Sequence, residues 1–214
     1  MYFDLNDEQQ AFVETVKEFA ANEIAPGASE RDRSCEWYTE GWRKMAQLGL
    51  LGLQFPEEYG GSGADILTTA AAFQAFTAGG ADAGIALSWI AHSVLAGTPL
   101  WLFGSEKQKR RYLAPLAKGE LTAGYALTEP GAGSDASSLQ TTAVRCGDRW
   151  ILNGSKMFIT NAPVGDVFVV FASEDREQRS RGITAFILER GFPGFSSGRE
   201  LDKMGNRTSP TGEL

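Results

Sequence analysis

Apolar residues in the first half of this chain recur at the spacing of a helix face. Phe12, Val16, Phe19 and the later Ile24 fall on one side until Pro26 stops the run. Asn6 with Gln9 three positions on forms a capping-box pattern, which starts a helix just after Asn6. Trp42, Met45 and Leu48 predict a second helical stretch ending at Gly49. Ile66, Ala70, Phe73 and Phe76 make a third stripe, closed by Gly79-Gly80. From Ala83 to Ala96 the chain is nearly all apolar, as a helix buried on most sides must be. Ser105 with Gln108 opens another capped helix that runs to about Ala117.

Past Gly119 the period drops to two. Val144 and Cys146 lead into Gly147-Asp148, and Trp150 and Leu152 lead into Asn153-Gly154, a strong short-range hairpin signal. A strand over Lys156 to Thr160 is expected after that turn, then strands over Asp166 to Ala172 and Gly182 to Glu189. The polar run EDREQRSRG between the last two reads as a loop. The fold expected is α+β and multidomain: an all-α domain over residues 1–120, then an antiparallel β-barrel or sandwich over 121–214. The closing RTSPTGEL has turn chemistry and no strand to finish the β-domain, so the sequence reads as incomplete at its C-terminus, part of a longer polypeptide.

Composition narrows the function classes. A net charge of −7 argues against a nucleic-acid surface. The basic cluster Lys107, Lys109, Arg110 and Arg111 sits in a helical pattern with Tyr112, Leu113 and Leu116, and reads as a solvated helix face. Cys35 and Cys146 fit no metal-ligand spacing and His92 is the single histidine, so neither a disulfide scaffold nor a metal site is expected. The opening MYFDLNDEQQ lacks a basic segment before an apolar stretch, and no run of 18 apolar residues appears. The expectation is a cytoplasmic protein with no membrane span.

The densest chemistry is YALTEPGAGSDAS, residues 125–137. Gly131, Gly133 and Ala136 formally satisfy G-x-G-x-x-A, but that dinucleotide fingerprint works only where a strand feeds the glycines into a helix. Here SSLQTTAVRCGDRW follows, which is strand and turn material, so the context rejects that reading. Glycines still let a backbone approach a ligand closely and aim N–H groups at an anion, and the Thr128 and Ser134 hydroxyls can donate to it. A surface loop without a ligand fits the spacing equally well.

YALTEPGAGSD closely resembles the signature of the acyl-CoA dehydrogenase family. LGLLGLQFPEEYGGSG at 48–63, FGSEKQKRRYLAPLAKGE at 103–120, WILNGSKMFITNA at 150–162 and LDKMGNRTSPTGEL at 201–214 resemble further family segments, in family order across essentially the whole chain. The resemblance implies FAD-dependent removal of two hydrogens across the α and β carbons of an acyl thioester, carried by coenzyme A or an acyl carrier protein. It implies that Tyr125, Ala126, Leu127, Thr128, Glu129, Pro130, Gly131, Ala132, Gly133 and Ser134 line FAD, with donors near Leu127 and Thr128 facing the pyrimidine end of the ring. By the same resemblance Phe158, Ile159 and Thr160 pack against the ring, the Thr160 hydroxyl reaching N5, and Ser134 lies near the pyrophosphate and the acyl-pantetheine arm. Many relatives carry tryptophan at Phe158; a phenyl ring still stacks, over less area.

Other chemistry-bearing residues read as structural. Glu129 and Asp135 hold the loop, His92 caps or packs, Trp37, Trp42, Trp89 and Trp101 are core, and Lys156, just after the Asn-Gly turn, is solvated. The family's catalytic carboxylate belongs to a C-terminal helical domain, so no residue here is assigned as the base. The family further implies a homo-oligomer, tetramer or dimer, when complete, and an electron-transferring flavoprotein as partner. A non-catalytic flavin- or acyl-binding subunit that pairs with another chain is the alternative. Acyl chain length, carrier and electron acceptor are not fixed by these residues.

Overall fold

The computed structural model describes residues 4–214; the first three residues of the opening segment, read above for a leader, lie outside them. The chain divides into two compact units. One holds the chain up to Leu121 and takes in Asp202–Ser209; the other holds Thr122–Leu201 and Pro210–Leu214.

The first unit is helical. Helix α1 (Asp7–Phe19) starts on the Asn6 capping box, both of whose hydrogen bonds form, and a π-helical turn carries it on through Ile24. Helices α2 (Ala28–Ser34) and α3 (Thr39–Gln47) follow; α2 was not expected from any apolar stripe, because among its residues only Ala28 and Arg31 are buried. Helix α4 (Ile66–Gly80) buries Thr69, Ala72, Ala75 and Phe76, which corrects the expected stripe: Ile66 is 90% exposed. It ends at Gly80, as the sequence predicts, and its two glycines also serve a contact. A Cβ on Gly79 would run into the Lys17 carbonyl, and one on Gly80 would press on Ala20 and Ile24, so they let α4 lie close against α1.

Helix α5 (Ala83–Trp89) passes through a π-helical stretch, Ile90–Gly97, into α6 (Thr98–Phe103), and α7 (Glu106–Ala117) begins on the Ser105 capping box. By length and composition the run Ala83–Phe103 is apolar enough to cross a membrane, a match the count of consecutive apolar residues did not foresee. Within the unit it is largely core. Trp89 and Ile85 are fully buried, Trp89 lies 3.7 Å from Phe73 between ring centroids, and its indole N–H donates to the Leu50 carbonyl. Each such side chain withdrawn from water contributes roughly 1.5–3 kcal/mol. Trp42 is core as expected, whereas Trp37 and Trp101 are only partly buried. His92 is a packing residue, fully buried, edge-on to Trp42, with Nε2 3.1 Å from the Leu116 carbonyl oxygen. Lys107, Arg110 and Arg111 are exposed, as a solvated helix face requires.

The second unit is built on β5 (Val167–Ser173), the run VFVVFA, which is buried along nearly its whole length. A strand covered on both faces reads as a continuous apolar run instead of an alternating one. β6 (Ile183–Glu189) pairs it antiparallel, while β1 (Ala123–Ala126) pairs it parallel in the register Ala123↔Val167. The sheet is therefore mixed and not purely antiparallel. β2 (Thr142–Cys146) and β3 (Arg149–Asn153) form a hairpin across Gly147-Asp148.

The hairpin expected at Asn153-Gly154 does not form. The only strand in the segment after it, β4 (Ile159–Thr160), pairs with β7 (Thr211–Gly212) in a separate two-stranded sheet. Gly154 is needed for another reason: a Cβ there would collide with Thr141. The segment EDREQRSRG, expected as a loop, includes a 3-10 turn over Arg176–Gly182.

Candidate functional site

β1 delivers the chain into the glycine-rich segment, which folds back on itself at once. Glu129 and Ala132 exchange backbone hydrogen bonds of 3.0 and 3.2 Å across Pro130-Gly131. The Glu129 side chain turns inward, where it is 5% exposed. It accepts from the Gln140 and Thr141 amides, from the Thr141 hydroxyl, and from Lys156 Nζ at 2.7 Å. Lys156 is 2% exposed, which corrects the solvated reading: the turn before it does not lead to the surface. Burial pushes the Glu129 carboxyl upward, but Lys156, Thr141 and the two amides outweigh that and hold it below its ordinary value. Burial lowers the Lys156 ammonium, against the pull of Glu129.

The same lysine brings together the two segments expected to line the ring. Its Nζ donates to the Leu127 carbonyl at 3.1 Å, and one residue on, the Met157 amide donates to the Thr128 carbonyl at 2.9 Å. Residues 127–128 and 156–157, far apart in sequence, are thus hydrogen-bonded neighbours. With both carbonyls engaged, what Leu127 and Thr128 can offer a ligand is donors: amides and the Thr128 hydroxyl.

The expected site residues divide by what they expose. Ala126 and Ile159 are part of the β core with Ala162, Phe168 and Val170, and Ala132 is buried, so these contribute backbone alone. Tyr125 is half-buried against Phe171, at 5.0 Å between centroids, and burial raises its phenol. Thr128 and Thr160 are half-buried, while Pro130, Gly131, Gly133 and Ser134 are exposed. Gly131 and Gly133 have open space where a Cβ would stand, so a ligand can lie directly on their backbone. Phe158 is 60% exposed and held at φ 61°, a left-handed conformation costly for an aromatic residue. An apolar ring fixed outward at such cost, beside open glycine backbone and hydroxyl donors, fits a flat cofactor with a phosphate-bearing tail.

Asp135 is exposed and occupied. It accepts from Ser137, the main cause of its lowered carboxyl, and pairs with Arg179 at 3.4 Å. Glu129 and Asp135 both hold the loop, as expected. Sequence reasoning missed Lys156, Thr141 and Met157. One signal was available: Lys156 is the only lysine between Lys118 and Lys203, and a carboxylate drawn inside the β unit needs a cation.

Residues 6–120 match the family model Acyl-CoA dehydrogenase, N-terminal domain, and residues 124–214 match Acyl-CoA dehydrogenase, middle domain. The chain belongs to the acyl-CoA dehydrogenase family. Among its relatives in that family, the short-chain specific acyl-CoA dehydrogenase of Clostridium acetobutylicum is 45% identical over 214 residues, covering all of this chain and 56% of its own length. The solved butyryl-CoA dehydrogenase of Megasphaera elsdenii is 42% identical with a TM-score of 0.93, over all of this chain and 56% of that one. PigA, solved as an FAD complex, is 37% identical with a TM-score of 0.95 over the same shares. The chain thus spans little more than half the length of these relatives.

Proposed function

We propose that this chain supplies the flavin- and thioester-binding part of an FAD-dependent acyl thioester dehydrogenase, acting on an acyl-CoA or acyl-carrier thioester. The observation that carries the reading is the hydrogen-bonded junction of Thr128 with Met157, next to the outward, strained Phe158. Two segments that resemble separate flavin-contacting motifs are side by side, and structural relatives bind FAD. FAD supplies the hydride acceptor for the substrate β-carbon. Phe158 covers one face of the ring, the Thr128 and Thr160 hydroxyls orient its polar edge, and Gly131 to Ser134 receive the phosphates and the pantetheine arm. Electrons pass on to an electron-transferring flavoprotein, and the working protein is a cytoplasmic homo-oligomer.

The base that takes the α-proton is not Glu129, which is buried in an ion pair, nor Asp135, which is paired with Arg179. As the family resemblance implies, it belongs to a helical domain outside these 214 residues. That occupancy also favours a second reading, a flavin- and acyl-binding subunit whose partner chain brings the carboxylate. Incubating the purified chain with FAD, removing the excess and recording the visible spectrum tests the shared premise. A retained flavin band that perturbs on acyl-CoA titration is expected; a colourless protein overturns the assignment of this chain as the cofactor-holding part. Slow or absent turnover with acyl-CoA is expected in either case, and steady turnover by the chain alone overturns the claim that the base lies elsewhere.

A further inference from the structure

No step of the proposed reaction uses the Glu129–Lys156 ion pair, yet it is nearly inaccessible to water, with side chains 4% and 3% exposed. It stands where four stretches of the β unit cross. Lys156 Nζ holds Leu127 O and Glu129 Oε1, at 3.1 and 2.7 Å. The Lys156 backbone exchanges hydrogen bonds of 2.7 and 3.0 Å with Leu214. The Glu129 carboxylate takes the Gln140 and Thr141 amides, the latter at 2.9 Å, together with the Thr141 hydroxyl. Gly154, two residues before the lysine, has no room for a Cβ against Thr141, so the turn that leads into Lys156 is itself pressed onto the carboxylate's other partner.

Neutralising charge does not require this arrangement, and such pairs are weak devices for stability, because desolvation offsets most of their attraction. What the pair does is geometric. It fixes 127–128 against 156–157, so that Phe158 and Thr160 emerge at a set distance from Thr128. It also turns the Leu127 carbonyl inward. A carbonyl left pointing at a ring that gains negative charge on reduction opposes that charge, whereas donors favour it.

Resting on the reading that this region holds FAD, we infer that Glu129 and Lys156 are positioning residues. Their ion pair sets the spacing of the two ring-contacting segments and keeps carbonyl oxygen away from the ring. Neither touches the reacting atoms.

The test compares Lys156→Met, Glu129→Gln and the double variant with the unaltered chain. It reads thermal unfolding, FAD affinity by fluorescence quenching, the visible band of bound flavin, and hydrogen exchange at the Gln140, Thr141 and Met157 amides. Each single variant leaves one charge buried alone. Each is expected to lose stability, to bind FAD about tenfold more weakly or worse, and to exchange faster at those amides. The double variant has no stranded charge and regains most of the lost melting temperature. Its FAD affinity stays about tenfold down and its flavin band moves toward that of free FAD, because the spacing is still unset.

A double variant that recovers flavin affinity and spectrum together with stability overturns the inference, since the pair is then structural only. Single variants with unaltered FAD binding overturn it as well. If the unaltered chain binds no FAD, the flavin reading fails separately. The exchange arm then decides the clip, and unchanged protection at Gln140, Thr141 and Met157 in Lys156→Met overturns it.

Discussion

Each unit of the molecule buries an ion pair, and the two are built alike but serve different surroundings. In the helical unit Arg31 and Asp82 meet at 3.3 Å, with the arginine also bonded to the Ile24 and Pro26 carbonyls and lying 4.0 Å over the Tyr38 ring. Asp82 caps α5 through the Ile85 amide and accepts the Thr208 hydroxyl from the returning segment Asp202–Ser209. In the β unit Lys156 and Glu129 join four stretches in the same way. The difference lies in what is held. Arg31 and Asp82 fasten helix ends to the segment that carries Thr208; Lys156 and Glu129 fasten segments that run, two residues on, into an exposed, strained phenylalanine and an open glycine. A buried charge pair alone says nothing of function. What it presents to solvent does.

The largest effect should come from cutting the first pair. Asp82→Ala strands the Arg31 guanidinium, uncaps α5 and frees the Thr208 hydroxyl, at an expected loss of about 3–5 kcal/mol in urea unfolding. A loss below about 1 kcal/mol would mean that the two carbonyls and the Tyr38 ring satisfy Arg31 without the carboxylate.

Acid should separate the two units. Burial pushes His92 down to about 4 from 6.5, the Leu116 carbonyl pulling weakly the other way. Between those values the unfolded chain binds a proton that the folded chain refuses, so stability falls as pH drops from 6.5 toward 4 and is unaffected by His92 above that window. The size is about 3 kcal/mol over the full window. Glu129 behaves differently: its carboxyl is held below the ordinary 4.5, so its contribution is present above that pH and fades only as pH falls beneath it. Melting curves from pH 7 to 4 should slope downward in the unaltered chain and much less in His92→Gln. Equal slopes would assign the loss to carboxylates instead.

Much of this was legible because the signals were local. The capping boxes at Asn6 and Ser105, the run of β5 and the hairpin at Gly147-Asp148 each depend on residues a few positions apart, and each formed where spacing put it. What failed depended on residues far away. Ile66 matched a helical stripe but lies in the first turn of α4, outside the part that packs, and Gly79-Gly80, which end the helix as expected, also touch α1, a contact with no local signal. Asn153-Gly154 had hairpin chemistry, yet its glycine answers to Thr141, and the parallel pairing of β1 with β5 has no signature in either strand. At the site, the glycines and hydroxyls were readable as ligand-facing chemistry. Lys156 was not, because only the fold brings Glu129 to it.

The glycines give the mildest and sharpest form of the contrast between the units. Gly79 has no room, since its missing Cβ would strike the Lys17 backbone carbonyl, and backbone cannot step aside as a side chain can. Gly131 has nothing near it. Gly79→Ala should therefore cost about 1–3 kcal/mol as α1 and α4 are forced apart. Gly131→Ala should stay within about 0.5 kcal/mol of the unaltered chain, because the added methyl meets only solvent and neither glycine sits at positive φ. If Gly131 is open for a ligand, the same methyl that leaves stability alone will stand between backbone and cofactor, and FAD retention will fall. If retention holds as well, the open glycine is a surface loop's glycine, and the phosphate-receiving role moves away from Gly131.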